Sequence, residues 1–178
     1  MTPEEWLIHD RDGFKSPGER SGLAPYMGKR KLNLGCGCAP EPVWRGWTNA
    51  DINENSCAGV VFDAREPWPL KAGSYDTIFA YLFFHTLFAG EELFTVLSEA
   101  WRLLRPGGFL VAVVPDGHHG SPMQKSIWTE RTPHMLCESV YKTPELATTG
   151  FDQGLPVKPW QLIGVEKPNL IWFVLKRP

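Results

Sequence analysis

The chain has 178 residues, 43% of them hydrophobic and 21% charged, with a formal net charge of −2. That length and balance fit one globular domain with a proper core, and they argue against a nucleic-acid surface, which needs clustered Lys and Arg. No apolar run approaches the ~20 residues that span a bilayer, so no membrane association is expected. Four cysteines and an N-terminus without a basic-then-apolar leader lead us to expect a cytoplasmic chain with free thiols.

Residues 1–30 are polar and rich in Gly and Pro, as in "DRDGFKSPGERSGLAP", and read as an N-terminal arm. Residues 31–178 read as a single domain. A first strand covers 31–35 and runs into Gly35-Cys36-Gly37. "GWTNADI" (46–52) and "GVVFDA" (59–64) read as a second and a third strand, each ending at an acid. "SYDTIFAYLFF" (74–84) is almost wholly apolar, as a strand buried on both faces should be.

The spacing of Leu93, Leu97, Ala100, Trp101 and Leu104 predicts a helix over 90–104. Glu91 and Glu92 in its first turn and Arg102 and Arg105 at its end suit the helix dipole, and Pro106-Gly107-Gly108 should stop it. "FLVAVVP" (109–115) follows as a fifth strand. Residues 116–140 have no clear period and read as a lid, with Trp128 the aromatic there most suspected of touching a substrate. A short helix is expected over 142–151, with Thr143 as its cap. Two closing strands, 160–166 and 169–177, are joined by Lys167-Pro168 and should form an antiparallel hairpin. The fold expected is an α/β three-layer sandwich around a mostly parallel, seven-stranded, Rossmann-like sheet.

In such sheets a ligand lies at the carboxyl ends of the strands, where strand order reverses. The ends here are Gly35-Cys36-Gly37, Asp51 and Asp63. Glycine lets the backbone approach a ligand closely. An acid after the second strand can accept from both hydroxyls of a ribose. One after the third can accept from an exocyclic amine such as that of adenine. These ends ask for an adenosine but not for a pyrophosphate, because Pro40 stands where the third glycine of the dinucleotide motif would be. A nicotinamide oxidoreductase is disfavoured for that reason. Cys36 and Cys38 lie close together, but Cys57 and Cys137 are distant and unpaired in spacing, so no metal is expected.

The segments "LNLGCG", "GWTNADI", "VVFDAREPWPLKAGSYDTIFAYLFFHTL" and "SEAWRLLRPGGFLVAVVP", in that order, resemble the class I S-adenosylmethionine-dependent methyltransferases. They are most similar to the short members with a Leu-Asn-Leu-Gly-Cys-Gly turn. The resemblance covers roughly residues 31–115 and implies S-adenosylmethionine as cofactor. It implies that Gly35, Cys36 and Gly37 lie under the methionine and ribose, and that Asp51 binds the ribose. Ile52 would pack on adenine, Asp63 and Ala64 would read its edge, and Ala80 and Tyr81 would flank the methionine. Where related sequences often carry Glu-His after the fourth strand, this chain has His85-Thr86. The Asn-Pro-Pro-aromatic motif of amide and exocyclic-amine methylation is absent.

The activity expected is methyl transfer to a small-molecule or sugar-like acceptor. His85, His118 and Asp116 are the candidates for a base, since all follow the fourth or fifth strand. A non-catalytic sensor or interaction module that binds the same cofactor is the alternative.

Overall fold

Alternation along the strands gives the sheet two apolar faces, and both are covered. The computed structural model describes residues 24–37, 46–137, 158–166 and 170–178. Its strands are β1 (Lys31–Leu34), β2 (Trp47–Asp51), β3 (Val60–Val61), β4 (Tyr75–Tyr81), β5 (Leu104–Pro115), β6 (Gln161–Glu166) and β7 (Leu170–Lys176). They form one seven-stranded sheet in the order β3-β2-β1-β4-β5-β7-β6. β1 to β5 are parallel, and β7 runs antiparallel to both β5 and β6. This is the expected Rossmann-like sheet with its antiparallel pair. Strand order reverses between β1 and β4, which puts the crevice for a ligand beyond their carboxyl ends.

One helix, α1 (Glu91–Leu103), packs on one face. It buries Leu93, Val96, Leu97, Ala100 and Leu103 against Leu32, Leu34, Ile78, Ala80, Leu110 and Ala112 of the sheet. The opposite face gathers Trp47, Phe79, Val111, Val113 and Val174, with Tyr26 and Met27 packed on it. α1 is the one α-helix among the described residues. The expected helix at 142–151 and the turn at Lys167-Pro168 lie outside them.

The sequence expectation for "LLRPGG" needs correction. The helix stops at Leu103, before the proline, and Leu104 already pairs with Tyr75 in the sheet. Pairing then jumps to Thr77 with Phe109, so Arg105 to Gly108 form a bulge. Gly107 has φ +79, and a Cβ on Gly108 would meet the carbonyl of Arg105 at 2.9 Å. The bulge turns Arg105 onto the Asp76 carboxylate, which also accepts from Arg30 Nη2 at 3.0 Å and from the backbone amide of Arg30 at 2.8 Å. Burial pushes that carboxyl's pKa up, but the hydrogen bonds from Arg30 and Arg105 outweigh it and hold the group well below the usual carboxylate range.

The loop after β5 is pinned at both ends. Gly117 donates to the Trp128 carbonyl at 2.7 Å, and Gln124 Nε2 donates to the Gly117 carbonyl at 2.7 Å. The His85 carbonyl accepts from Lys125 and Ser126. Trp128 itself is 1% exposed. It stacks on Phe173 with centroids 5.4 Å apart, and its indole N–H donates to Ser126 Oγ at 2.9 Å. Trp128 is therefore a core anchor of the loop and not a surface for substrate. Trp128→Ala should destabilise the domain by about 3–5 kcal/mol, measured by urea unfolding. Hydrogen exchange at 117–128 should quicken with it; an unchanged midpoint would show that the loop is held by other contacts.

Candidate functional site

The turn after β1 is built on the end of β2. The amides of Gly35 and Cys36 both donate to the Ala50 carbonyl, at 2.9 and 3.0 Å. That sharp reversal takes Gly35 to φ +69 and Gly37 to φ +57, conformations that a Cβ disfavours. One Asp51 oxygen then accepts from the Gly37 amide at 2.8 Å, and the other from the Asn53 amide at 2.9 Å. An ionised carboxylate offers about four acceptor positions, so these bonds leave about one on each oxygen. A vicinal diol is a donor pair of that shape.

Beside this turn lies a cleft of about 400 Å³. Of the residues picked out from the sequence, Gly35, Asp51, Ile52, Asp63 and Ala64 line it. Cys36 and Gly37 form the turn but do not line the cleft. The thiol of Cys36 is pushed up to about 11, first by burial and then by the Asp51 charge, so it stays protonated at neutral pH. Ala80 is buried in the core on the α1 side. Tyr81 lies on the opposite face, where its ring stacks on Phe79 with centroids 6.4 Å apart. The two residues at the end of β4 thus lie outside the cleft lining.

The chain leaves β4 through Leu82, which has φ 50 although it is not glycine. This strained residue and Phe83 line the cleft, as do Thr86 and Leu87 of the following turn. Phe83 lies directly on Gly35: a Cβ there would come within 2.6 Å of the ring and 3.2 Å of Phe83 Cβ. Phe62, Arg65, Met123 and Lys125 complete the wall. Sequence reasoning singled out none of these residues, though Met123 and Lys125 fall within the segment it read as a lid. Only the unbroken apolar run "YLFF" beyond the natural end of a strand hinted at Leu82 and Phe83.

At the far end of the cleft, Asp63 is held by Arg65, whose hydrogen bonds keep the carboxyl's pKa below its ordinary value. Glu92 stands behind, 3.5 Å from Arg65 Nη1. The histidine His85 is buried, with its ring centroid 5.1 Å from that of His119. Burial lowers its pKa, and His119 adds to the effect, so the ring is neutral at pH 7. Among the described residues nothing hydrogen-bonds its Nδ1. Asp116 is half-buried and His118 exposed. None of these three base candidates lines the cleft. No group of three or more His, Cys, Asp or Glu among the described residues is placed to hold a metal ion.

Residues 32–112 match the family described as "Methyltransferase domain". No curated protein matches the chain. Solved structures share its fold at low identity. A SAM dependent methyltransferase from Archaeoglobus fulgidus is 18% identical over 98% of this chain and 94% of its own, with a TM-score of 0.58. One from Aquifex aeolicus is 14% identical over 99% of this chain and 89% of its own, at 0.56. One from Mesorhizobium loti is 14% identical over 87% of this chain and 95% of its own, at 0.54. The family match covers residues 32–112, a little under half of the chain, and the solved structures share its fold. Among the described residues a Cβ on Gly37 would meet nothing within 4 Å, and Asp51 accepts from the Gly37 and Asn53 amides alone, an arrangement that suits a nucleoside ligand with a ribose diol.

The two glycines should respond differently to substitution. Gly37→Ala meets only the positive φ and should cost about 1–2 kcal/mol. Gly35→Ala adds the collision with Phe83 and should cost more, with part regained in a Phe83→Leu background. Chemical denaturation of the four proteins checks this, and equal costs at both glycines would refute the close packing of Phe83.

Proposed function

We propose that this protein is a class I methyltransferase of the short Leu-Asn-Leu-Gly-Cys-Gly type, acting in the cytoplasm on a small-molecule or sugar-like acceptor. The observation that carries the reading is the Asp51 carboxylate. It stands at the reversal of strand order, lines the cleft, and among the described residues accepts only from the Gly37 and Asn53 amides. When bound, S-adenosylmethionine supplies a sulfonium methyl group already activated for displacement.

The protein's own contribution is then alignment and exclusion of water. Asp51 would hold the ribose, with Ile52 beside adenine and Asp63 and Ala64 at its edge. Gly35, Cys36 and Gly37 would lie under the ribose and methionine. Ala80 and Tyr81, outside the cleft lining, would shape the methionine end by packing alone. Met123 and Lys125 bring residues 116–140 to the cleft wall, which supports a lid there and an acceptor of modest size. No helix among the described residues is long and apolar enough to cross a membrane.

For a hydroxyl acceptor the proton has to leave as the methyl arrives. His85 is the base we favour over His118 and Asp116, because its buried ring is neutral at working pH and can take a proton.

Two measurements test this reading. Asp51→Ala should weaken S-adenosylmethionine binding by about 1–3 kcal/mol in titration calorimetry. Equal affinities would remove Asp51 from the site. With an acceptor found by screening small hydroxylated compounds against labelled donor, His85→Ala should lower kcat about 10²-fold at unchanged cofactor affinity. The wild-type rate should fall only below the ordinary histidine pKa of ~6.5, since His85 stays neutral above its lowered value. A wild-type kcat in His85→Ala would leave the base to His118 or Asp116.

A further inference from the structure

Asp63 presents a difficulty for its expected role. Its carboxylate has about four acceptor positions. Arg65 turns three N–H groups on it: its amide to Oδ1 at 2.9 Å, Nε shared between Oδ1 at 2.9 Å and Oδ2 at 3.1 Å, and Nη2 to Oδ2 at 2.6 Å. The 6-amino group of adenine is a donor, and it competes there with a guanidinium that already spans both oxygens. Yet Asp63 and Arg65 both line the cleft.

A second carboxylate stands within reach of the same guanidinium. Glu92 Oε1 is 3.5 Å from Arg65 Nη1. Glu92 sits in the first turn of α1, and its Oε2 accepts from the Phe88 amide at 2.9 Å, which fixes it in place. The Arg65 side chain is 43% exposed and that of Asp63 28%, so their pair is of the solvent-screened kind that costs little to open. Lys125, on the cleft wall, adds positive charge near both acids, so Asp63 keeps a cationic neighbour if Arg65 leaves.

We propose that Arg65 is a specificity latch: it occupies Asp63 in the ligand-free chain and moves across to Glu92 when a 6-aminopurine nucleoside enters, freeing Asp63 to accept from the amine. The proposal rests on the cofactor reading above. A ligand with a 6-oxo group puts an acceptor oxygen where adenine has its amine donor, and leaves the latch closed. Arg65 therefore sets both the affinity for the adenosyl group and its discrimination from the inosyl group.

The test is calorimetry with S-adenosylhomocysteine and its 6-oxo counterpart, S-inosylhomocysteine. The proteins are wild type, Arg65→Ala, Arg65→Lys, Asp63→Ala and the Asp63→Ala/Arg65→Ala double variant. Arg65→Ala should bind the adenosyl ligand about two- to fivefold more tightly than wild type, the range that opening an exposed pair allows. Arg65→Lys, which cannot grip the carboxylate with a fork, should fall between them. The preference for adenosyl over inosyl should rise by the same factor. In the Asp63→Ala background, removing Arg65 should change nothing. If Arg65→Ala weakens binding with Asp63 present and absent alike, Arg65 is itself a ligand contact and the latch is overturned. Equal affinity in wild type and Arg65→Ala overturns it as well. Failure of wild type and every variant to bind the adenosyl ligand overturns the cofactor reading, and the latch with it.

Discussion

The whole ligand edge hangs from the last two residues of β2. The Ala50 carbonyl takes two consecutive amides, those of Gly35 and Cys36, and the Asp51 carboxylate takes the next, that of Gly37. Three backbone donors leaving β1 are thus satisfied by the neighbouring strand within three residues. A buried or half-buried turn without such partners would leave its amides unpaired, at a cost of about 1–3 kcal/mol each. The arrangement explains why glycine is needed twice in the turn. Bending three amides toward one strand end forces positive φ at Gly35 and Gly37. It also explains why one acid serves two ends. Asp51 closes the turn with one acceptor position on each oxygen, and the proposed ligand would take the others.

The two acids of the cleft differ in that respect. Among the described residues Asp51 meets only backbone amides, which cannot move away without unfolding the turn. Asp63 meets a side chain, and side chains exchange partners at little cost when they are exposed. The chain therefore combines a rigid acceptor near the glycine turn with an adjustable one at the far end of the cleft. Glu92 matters for the same reason. Its place in the first turn of α1 suits the helix dipole, and it gives Arg65 an alternative partner without a change in backbone.

Much of this was legible in the sequence because it is local. Strands buried on both faces read as apolar runs bounded by turn residues, and the helix reads from its apolar stripe. Glycine, glycine, acid and acid at successive strand ends pointed to the crevice, and five of the nine residues expected to hold the cofactor line the cleft. What was not legible depends on distant partners. Pro106-Gly107-Gly108 looks like a helix stop, but the strand pairing of Leu104 with Tyr75 makes it a bulge. Trp128 sits in an aperiodic loop, and only the ring of Phe173 from the far end of the chain shows why it is buried. Phe83 on Gly35 is a contact across 48 residues that no local pattern announces. Tyr81 was expected on the ligand side because it ends β4. Strand alternation decides otherwise: with Ala80 facing α1, the next side chain must face the other way.

The loop after β5 carries the argument from packing to chemistry. Its ends are fixed in two ways, by the bridge between Gly117 and Trp128 and by the two amides that Lys125 and Ser126 present to the His85 carbonyl. Trp128 anchors the end of the loop in the core against Phe84 and Phe173. Between these fixed ends lies the tip, residues 118–124, where Met123 is exposed and lines the wall. The lid proposed for this loop needs no hinge within the sheet. It also couples the acceptor side to the turn after β4, because the carbonyl that holds the loop belongs to His85. Any shift of the loop is felt first at the backbone of the residue we favour as base, whose ring already packs against His119 from the same loop. The two amides on the His85 carbonyl thus tie the loop that carries Met123 and Lys125 of the cleft wall to the residue proposed as the base.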